Sequence, residues 1–405
     1  MVILGVWEGR RVTLSIKSNC LTVSLEQGGQ AEVFSYENAG RLWTALFDQK
    51  SYRRGLDGKL VAKWLTPQGK RQRGWLEGVE ALQIESRAGQ SLSRLWDALQ
   101  AGTARLDADL PPEARLVFER ALAFDARTSQ ADAANYRRIY KPVGILPPDQ
   151  YMAVVLQATE GCSFNTCTFC TFYKDRPFRI KLPDEFKAHA EAVRGFIGEG
   201  LSLRRTIFLG DANALVTSMS RLLSFVDIVH QVYDVEKLGG IFAFLDGFSG
   251  ERKTSADYRL LAERGLKRVY LGMESGNADL LRFLKKPGQP DDVVNAVRAM
   301  KAGGVAVGVI VLLGAGGKRY AADHVRDTVA AINAMGLDLD DIIYFSELVV
   351  SEDMQYVRLA YQANLEPLTA EERDAQGELI LQGLKFSECG GTPHISRYDI
   401  REFVY

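Results

Sequence analysis

The spacing of apolar residues changes character along the chain. Over residues 1 to about 70 they alternate with polar ones in short runs, as in Arg11-Val-Thr-Leu-Ser-Ile-Lys17, Leu21-Thr-Val-Ser-Leu25 and Ala31-Glu-Val-Phe-Ser35. Period two predicts strands with one buried face, and Ser18-Asn19, Gly28-Gly29 and Asp57-Gly58 supply turns between them. From about Leu76 the spacing turns helical, through Leu92-Ser-Arg-Leu-Trp-Asp-Ala-Leu99 and Glu113-Ala-Arg-Leu-Val-Phe-Glu-Arg-Ala-Leu122. A proline-punctuated connector, Asn135 to Pro148, follows. Beyond it, short apolar runs alternate with amphipathic stretches. Strands are predicted at 151–158, 204–210, 239–245, 267–273, 305–314 and 341–350. Helices are predicted at roughly 184–199, 217–233, 255–265, 290–303 and 320–336, with another opening at the capping-box sequence Thr369-Ala-Glu-Glu372.

Strands alternating with helices of this length build right-handed βαβ units on a parallel sheet. The fold class expected is therefore α/β, a partial (β/α)6 TIM-like barrel with an N-terminal α+β domain and a C-terminal extension. The domain boundaries read as 1–135 for the accessory domain, 136–350 for the barrel, and 351–405 for an extension that is a candidate lid. Barrel chemistry sits at the C-terminal ends of the strands. A three-cysteine loop, Gly210-Asp-Ala-Asn213, Glu274-Ser-Gly276 and Gly314-Ala-Gly-Gly317 all fall at such ends.

A chain of 405 residues, 46% hydrophobic and 25% charged, is an ordinary globular composition large enough for two or three units. No apolar run approaches the ~20 residues of a membrane span. The opening Met-Val-Ile-Leu-Gly-Val-Trp-Glu is too short an apolar run for a secretory signal. Five cysteines, three of them clustered, point to a reducing compartment, so a soluble cytoplasmic protein is expected. The net charge of −1 makes no global case for nucleic acid. One local feature does: Lys50, Arg53, Arg54, Lys59, Lys63, Lys70, Arg71 and Arg73 face only Asp57 as an acid and interleave with Tyr52, Trp64 and Trp75. Such a run reads either as an anion- or RNA-binding face or as a solvated surface.

The cysteines carry the chemistry. Cys162, Cys167 and Cys170 stand in C-x4-C-x2-C spacing directly after a buried strand. Three thiolates hold three corners of a cubane iron–sulfur cluster and leave one iron open to a substrate or cofactor. A structural zinc site is the competing reading, but it needs a fourth ligand. The remaining candidates, His189, Cys20 and Cys389, are all distant in sequence.

With Phe169 directly before Cys170, the motif resembles that of the radical S-adenosylmethionine (radical SAM) superfamily, although its first spacer has four residues where the usual motif has three. Three more stretches are similar to the family's motifs. Gly210-Asp211-Ala-Asn213 stands where a Gly-Gly-Glu strand end meets the methionine amino group. Gly272-Met-Glu274-Ser275-Gly resembles the fourth-strand G-x-E-S-G, and Val307-Gly-Val-Ile-Val-Leu-Leu313-Gly resembles the strand that packs on adenine. Lys286 stands where some relatives place a basic residue toward the methionine carboxylate.

The resemblance implies a [4Fe–4S] cluster on Cys162, Cys167 and Cys170. It implies an S-adenosylmethionine site formed by Phe169, Gly210, Asp211, Asn213, Glu274, Ser275, Lys286 and Leu313. The activity implied is reductive cleavage of the cofactor to a 5′-deoxyadenosyl radical that abstracts hydrogen from a small-molecule substrate. A low-potential electron donor of the flavodoxin or ferredoxin type would serve it. Cys389 and Tyr398 in the C-terminal stretch are the candidate catalytic side chains. The alternatives are a radical SAM enzyme that modifies tRNA or another RNA, with nucleic acid the less favoured partner, and a non-catalytic zinc or iron–sulfur scaffold.

Overall fold

The computed structural model describes residues 1–248, 252–386 and 390–405. The chain divides into two compact units. The first is Met1–Val143 with Glu191–Arg205 and Arg401–Tyr405, and the second is Gly144–Ala190 with Thr206–Ile400.

In the first unit eight strands form an antiparallel meander: β1 (Val2–Trp7), β2 (Arg10–Ile16), β3 (Cys20–Gln27), β4 (Gln30–Glu37), β5 (Leu42–Phe47), β6 (Lys50–Arg54), β7 (Leu60–Leu65) and β8 (Arg71–Leu76). Helix α1 (Gly78–Gln100) follows, then the short β9 (Arg105–Leu106), which pairs with β1. Next come α2 (Pro112–Ala123) and α3 (Ala126–Ile139). The alternation read from the sequence is the alternation buried: Val12 and Leu14, then Leu21, Val23 and Leu25, then Phe34 form one core with Ala88, Leu92 and Leu95 of α1. Gly28 and Gly29 both take positive φ in the two-residue β3–β4 turn, the conformation that matches strand twist.

The basic stretch is largely spent inside this unit. Arg54 is buried against Glu85 and Asp132, Lys59 pairs with Glu77, and Lys63 and Arg73 both pair with Glu402. The Lys50 ammonium lies over the Trp64 ring, and Arg53 donates to the Glu402 carbonyl.

The second unit is built on a parallel sheet: β10 (Ala153–Gln157), β13 (Thr206–Gly210), β14 (Ile241–Phe244), β15 (Leu266–Glu274), β16 (Ala306–Leu313), β17 (Ile342–Glu347) and β18 (His394–Tyr398), side by side in sequence order. A two-stranded antiparallel pair, β11 (Thr159–Glu160) with β12 (Arg179–Ile180), stands apart from it. The helices are α4 (Pro183–Ile197), whose residues from Glu191 on belong to the first unit, α5 (Met219–Val232), α6 (Ser255–Glu263), α7 (Ala278–Phe283), α8 (Pro290–Ala302), α9 (Gly317–Asn333), α10 (Gln355–Gln362) and α11 (Ala370–Gly383). The edge strands β10 and β18 do not pair with each other, which leaves a partial barrel.

All five residues of β10 are buried, the signature of a strand covered on both faces. The capping box expected at Thr369 is formed, with the Glu372 N–H donating to Thr369 Oγ1 and the Thr369 N–H donating to the Glu372 carboxylate. Residues 351–400 contribute α10, α11 and a seventh parallel strand to this unit. No helix among the described residues is long and apolar enough to cross a membrane.

The sheet interior carries a layer of rings. Phe208 meets Phe244 at 5.0 Å, Tyr270 meets Tyr344 at 6.5 Å, and Tyr344 meets Tyr398 edge-on at 5.5 Å. The Tyr344 hydroxyl donates to Asp149 Oδ1 at 2.7 Å and the Tyr270 hydroxyl to Asp149 Oδ2, so the polar ends of the layer are satisfied.

Candidate functional site

Cys162, Cys167 and Cys170 lie on the loop closed at its neck by the β11–β12 pair, and every turn of that loop is tied down. At the start, the Gly161 N–H donates to Asp211 Oδ2 at 3.2 Å. Inside, Asn165 Nδ2 donates to the Tyr173 carbonyl at 2.7 Å. The middle caps the end of α7: Thr168 donates to the Leu284 carbonyl through its backbone N–H at 2.9 Å and through Oγ1 at 3.1 Å, while Thr166 Oγ1 donates to the Lys285 carbonyl at 3.0 Å. The Tyr356 N–H donates to the Thr168 carbonyl at 3.0 Å. A loop with this many fixed points presents its side chains in one arrangement.

The three cysteines, none in a disulfide, border a cavity of about 220 Å³ at the C-terminal ends of the strands. Phe169 borders it too and packs on the cluster around Leu280, Leu284 and Tyr356. Opposite stand Glu274 and Lys286, with Nζ 3.4 Å from Glu274 Oε1 and both side chains nearly buried. Glu274 takes φ of +62° beside a register shift at the end of β15, which turns its carboxylate into the cavity. Gly272 makes room for it, since a Cβ there would lie 2.4 Å from Glu274 Oε1. Burial alone would drive the Lys286 amine down, but the Glu274 carboxylate beside it holds it above its ordinary pKa.

Asn213, from the β13 exit, donates through Nδ2 to Asp246 Oδ2 at 2.5 Å and to Ser163 Oγ at 3.1 Å. Ile310 and Leu312 of β16 give an apolar wall, and Tyr398 and Ser346 border the far side.

The structure thus brings Cys162, Cys167, Cys170, Phe169, Asn213, Glu274, Lys286 and Tyr398 to one cavity, and leaves four expected residues away from it. Gly210 is packed against Val155 within the sheet. The Asp211 carboxylate is taken by Arg176, which donates through Nε at 3.1 Å and Nη2 at 2.8 Å. Burial nevertheless pushes the Asp211 carboxyl up to about 6 against the pull of that guanidinium. Ser275 is fully buried with its Oγ 2.6 Å from His324 Nδ1, and so serves the packing of α9 on the β15 exit. Leu313 points to Gly377 of α11, because one step along a strand reverses the face. Cys389 lies outside the described residues. Asp246, Ser163 and Arg176 were missed by the sequence reading. Asp246 was within reach, as a polar residue just past the third parallel strand.

Buried His324 is held neutral, its pKa lowered by burial to about 4. A group whose folded pKa lies below its unfolded value near 6.5 stabilises the fold above that value and loses the contribution as pH falls toward 4. The melting temperature is expected to fall over that window, and His324→Gln is expected to flatten the fall. An unchanged slope in the variant would show that His324 does not titrate there.

The donor set suits a cubane. Burial pushes the Cys170 thiol up to about 11 and raises Cys167 as well, so in the bare protein these thiols keep their protons and metal capture must release them. Among the described residues no three His, Cys, Asp or Glu side chains gather so as to hold a single metal ion. Cys162, Cys167 and Cys170 line one cavity and would be the residues to hold a cubane cluster, which would supply the electron-transfer chemistry there.

Residues 156–332 match the family model described as the radical SAM superfamily. Solved structures similar to the chain include coproporphyrinogen III oxidase from Escherichia coli, a radical SAM enzyme, at 11% identity and a TM-score of 0.40, with 55% of this chain and 49% of that one covered. Another is SuiB from Streptococcus suis bound to S-adenosylmethionine, at 9% identity and 0.40, covering 87% and 72%. A third is the methyltransferase TsrM from Kitasatospora setae with cobalamin and a [4Fe–4S] cluster, at 16% and 0.40, covering 58% and 47%. The chain thus spans about half the length of the coproporphyrinogen III oxidase. No curated protein matches the chain in sequence. Residues 156–332 thus carry a radical SAM superfamily domain, of a family whose members work with a [4Fe–4S] cluster and S-adenosylmethionine.

Proposed function

We propose that the second unit cleaves S-adenosylmethionine reductively and uses the product on a small-molecule substrate held in the same cavity. The observation that supports this most is that the three cysteines and the Glu274–Lys286 ion pair border one cavity. Cys162, Cys167 and Cys170 would hold the cluster. Lys286 would meet the cofactor's carboxylate, and Glu274 its ribose diol or amino group, each charge answering its complement in a site that excludes most water. Ile310, Leu312 and Phe169 offer the apolar surface an adenine ring needs. When bound, the cluster and cofactor supply a 5′-deoxyadenosyl radical able to abstract hydrogen.

The protein's own task is then to orient and to exclude. Apolar side chains lining the cavity, among them Leu348, Val349 and Met354, would limit the access of water to the reactive centre. Tyr398, which borders the cavity, would be the side chain to return a hydrogen atom or proton to the substrate. A flavodoxin- or ferredoxin-type donor would supply the electron, and the clustering of three of the five cysteines fits a reducing compartment such as the cytoplasm.

Incubation of reconstituted, reduced protein with S-adenosylmethionine alone, followed by chromatography of the small molecules, tests the bond cleaved. The expected product is 5′-deoxyadenosine. Methylthioadenosine in its place would keep the cluster and overturn the choice of bond.

A further inference from the structure

We infer that Asp211 and Arg176 form a buried strut that holds both ends of the cysteine loop and thereby positions the cluster ligands, and that Asp211 does not contact the cofactor. The inference rests on the cluster assignment proposed above.

One carboxylate oxygen is the meeting point. Asp211 Oδ2 accepts from the Gly161 N–H, the residue before Cys162, and from Nε and Nη2 of Arg176, six residues past Cys170. The two ends of the segment bearing all three cysteines therefore join at a single atom. Both side chains are almost fully buried, with exposures of 6% for Arg176 and 4% for Asp211. The partners of Asp211 are fixed in turn. Its backbone N–H donates to Thr159 Oγ1 at 3.1 Å, and the Arg176 guanidinium lies 5.5 Å from the Tyr173 ring centroid. Gly161, at φ of +76°, lets the loop turn back here, where a Cβ would come within 2.8 Å of the Pro177 carbonyl oxygen.

A second ion pair at the same neck, Arg179 with Glu160, has an arginine side chain 45% exposed. It serves as the internal control, because exposed pairs contribute little. Removing Arg176 leaves Asp211 buried without its guanidinium, and removing Asp211 leaves Arg176 only the half-exposed Asp175, so each single loss is expected to loosen the loop and their combination to cost no more than the larger.

The test uses the full chain with Arg176→Ala, Asp211→Ala, the neutral hydrogen-bonding pair Arg176→Gln/Asp211→Asn, and Arg179→Ala. After anaerobic reconstitution with iron and sulfide and desalting, iron retention is followed with time. Either alanine variant is expected to lose iron about 10-fold or more faster than wild type, as happens when ligand-orienting partners are removed. Arg179→Ala is expected to match wild type. The neutral pair, which keeps an acceptor for Gly161, is expected to regain most of the retention and to bind S-adenosylmethionine within about threefold of wild type.

Cleavage by chymotrypsin of the metal-free proteins within residues 161–176 gives a readout that needs no cluster. The alanine variants are expected to be cut about 10-fold or more faster there, since the loop opens locally. Wild-type cleavage and iron-loss rates in both alanine variants would overturn the strut. So would a neutral pair that keeps its cluster but binds the cofactor about 10-fold or more weakly, because Asp211 would then be serving the cofactor by its charge. If wild type takes up no cluster, the proposed function fails, and the proteolysis alone decides the strut.

Discussion

Alanine at any one of Cys162, Cys167 or Cys170 is expected to leave less than about a tenth of the wild-type iron after reconstitution and desalting. On the proposed assignment the cluster would have three protein ligands, and the described residues offer no ready substitute. His189 accepts the Gln157 N–H at 3.0 Å and is occupied as a packing group, and Cys20 is buried on β3 in the core of the other unit. The loop around the cysteines is pinned to α7, α10 and Asp211, so it cannot swing another donor into the gap. Iron and acid-labile sulfide per chain, with visible absorbance, give the measurement, and Cys20→Ala is the variant expected to keep its full complement. Retention of the cluster in any of the three variants would remove that cysteine from the ligand set.

The second large effect is expected at the ion pair facing the cysteines. Lys286→Met should weaken S-adenosylmethionine binding by about 10- to 100-fold, the range expected when one charge-assisted hydrogen bond is removed from a dry site. It also leaves Glu274 buried without its counter-charge. Glu274→Gln removes the other half, and because the two groups hold each other, the double variant is expected to lose less than the product of the single losses. Equilibrium dialysis of labelled cofactor against iron-matched protein reads the affinity. Full affinity in both single variants would mean that Glu274 and Lys286 serve only each other.

Much of this arrangement is legible in the sequence, for a physical reason. Strands of a parallel sheet covered on both faces are continuous apolar runs, so β10, β13, β14, β15, β16 and β17 stand out, and their exits mark the site. The cysteine spacing is local and equally plain. The seventh strand was missed because His394-Ile-Ser-Arg-Tyr398 sits at a sheet edge, with exposed and half-buried positions and little apolar character. Short α7 was missed as well, although its end is what the cysteine loop caps.

Side-chain roles were legible only where they depend on strand position alone. Glu274 could be placed from its own motif. The true partner of Asp211 is Arg176, 35 positions earlier, and that of Ser275 is His324, 49 positions later. Distances of that kind in sequence are closed only by the tertiary fold. Leu313 shows the narrowest margin: its neighbour Leu312 faces the cavity, and a shift of one residue exchanges the two faces. The basic run from Lys50 to Arg73 looked like a binding face because its counter-charges, Glu77, Glu85, Asp132 and Glu402, lie outside the segment.

The central claim is that three cysteines hold a cluster with one iron open to S-adenosylmethionine. Electron paramagnetic resonance of the reduced, reconstituted protein, recorded before and after addition of the cofactor, tests it most directly. A [4Fe–4S] signal that changes shape on addition, with the change abolished in Lys286→Met at the same cofactor concentration, is the predicted result. A protein that takes up zinc and no iron, or a cluster signal indifferent to the cofactor, would contradict the account.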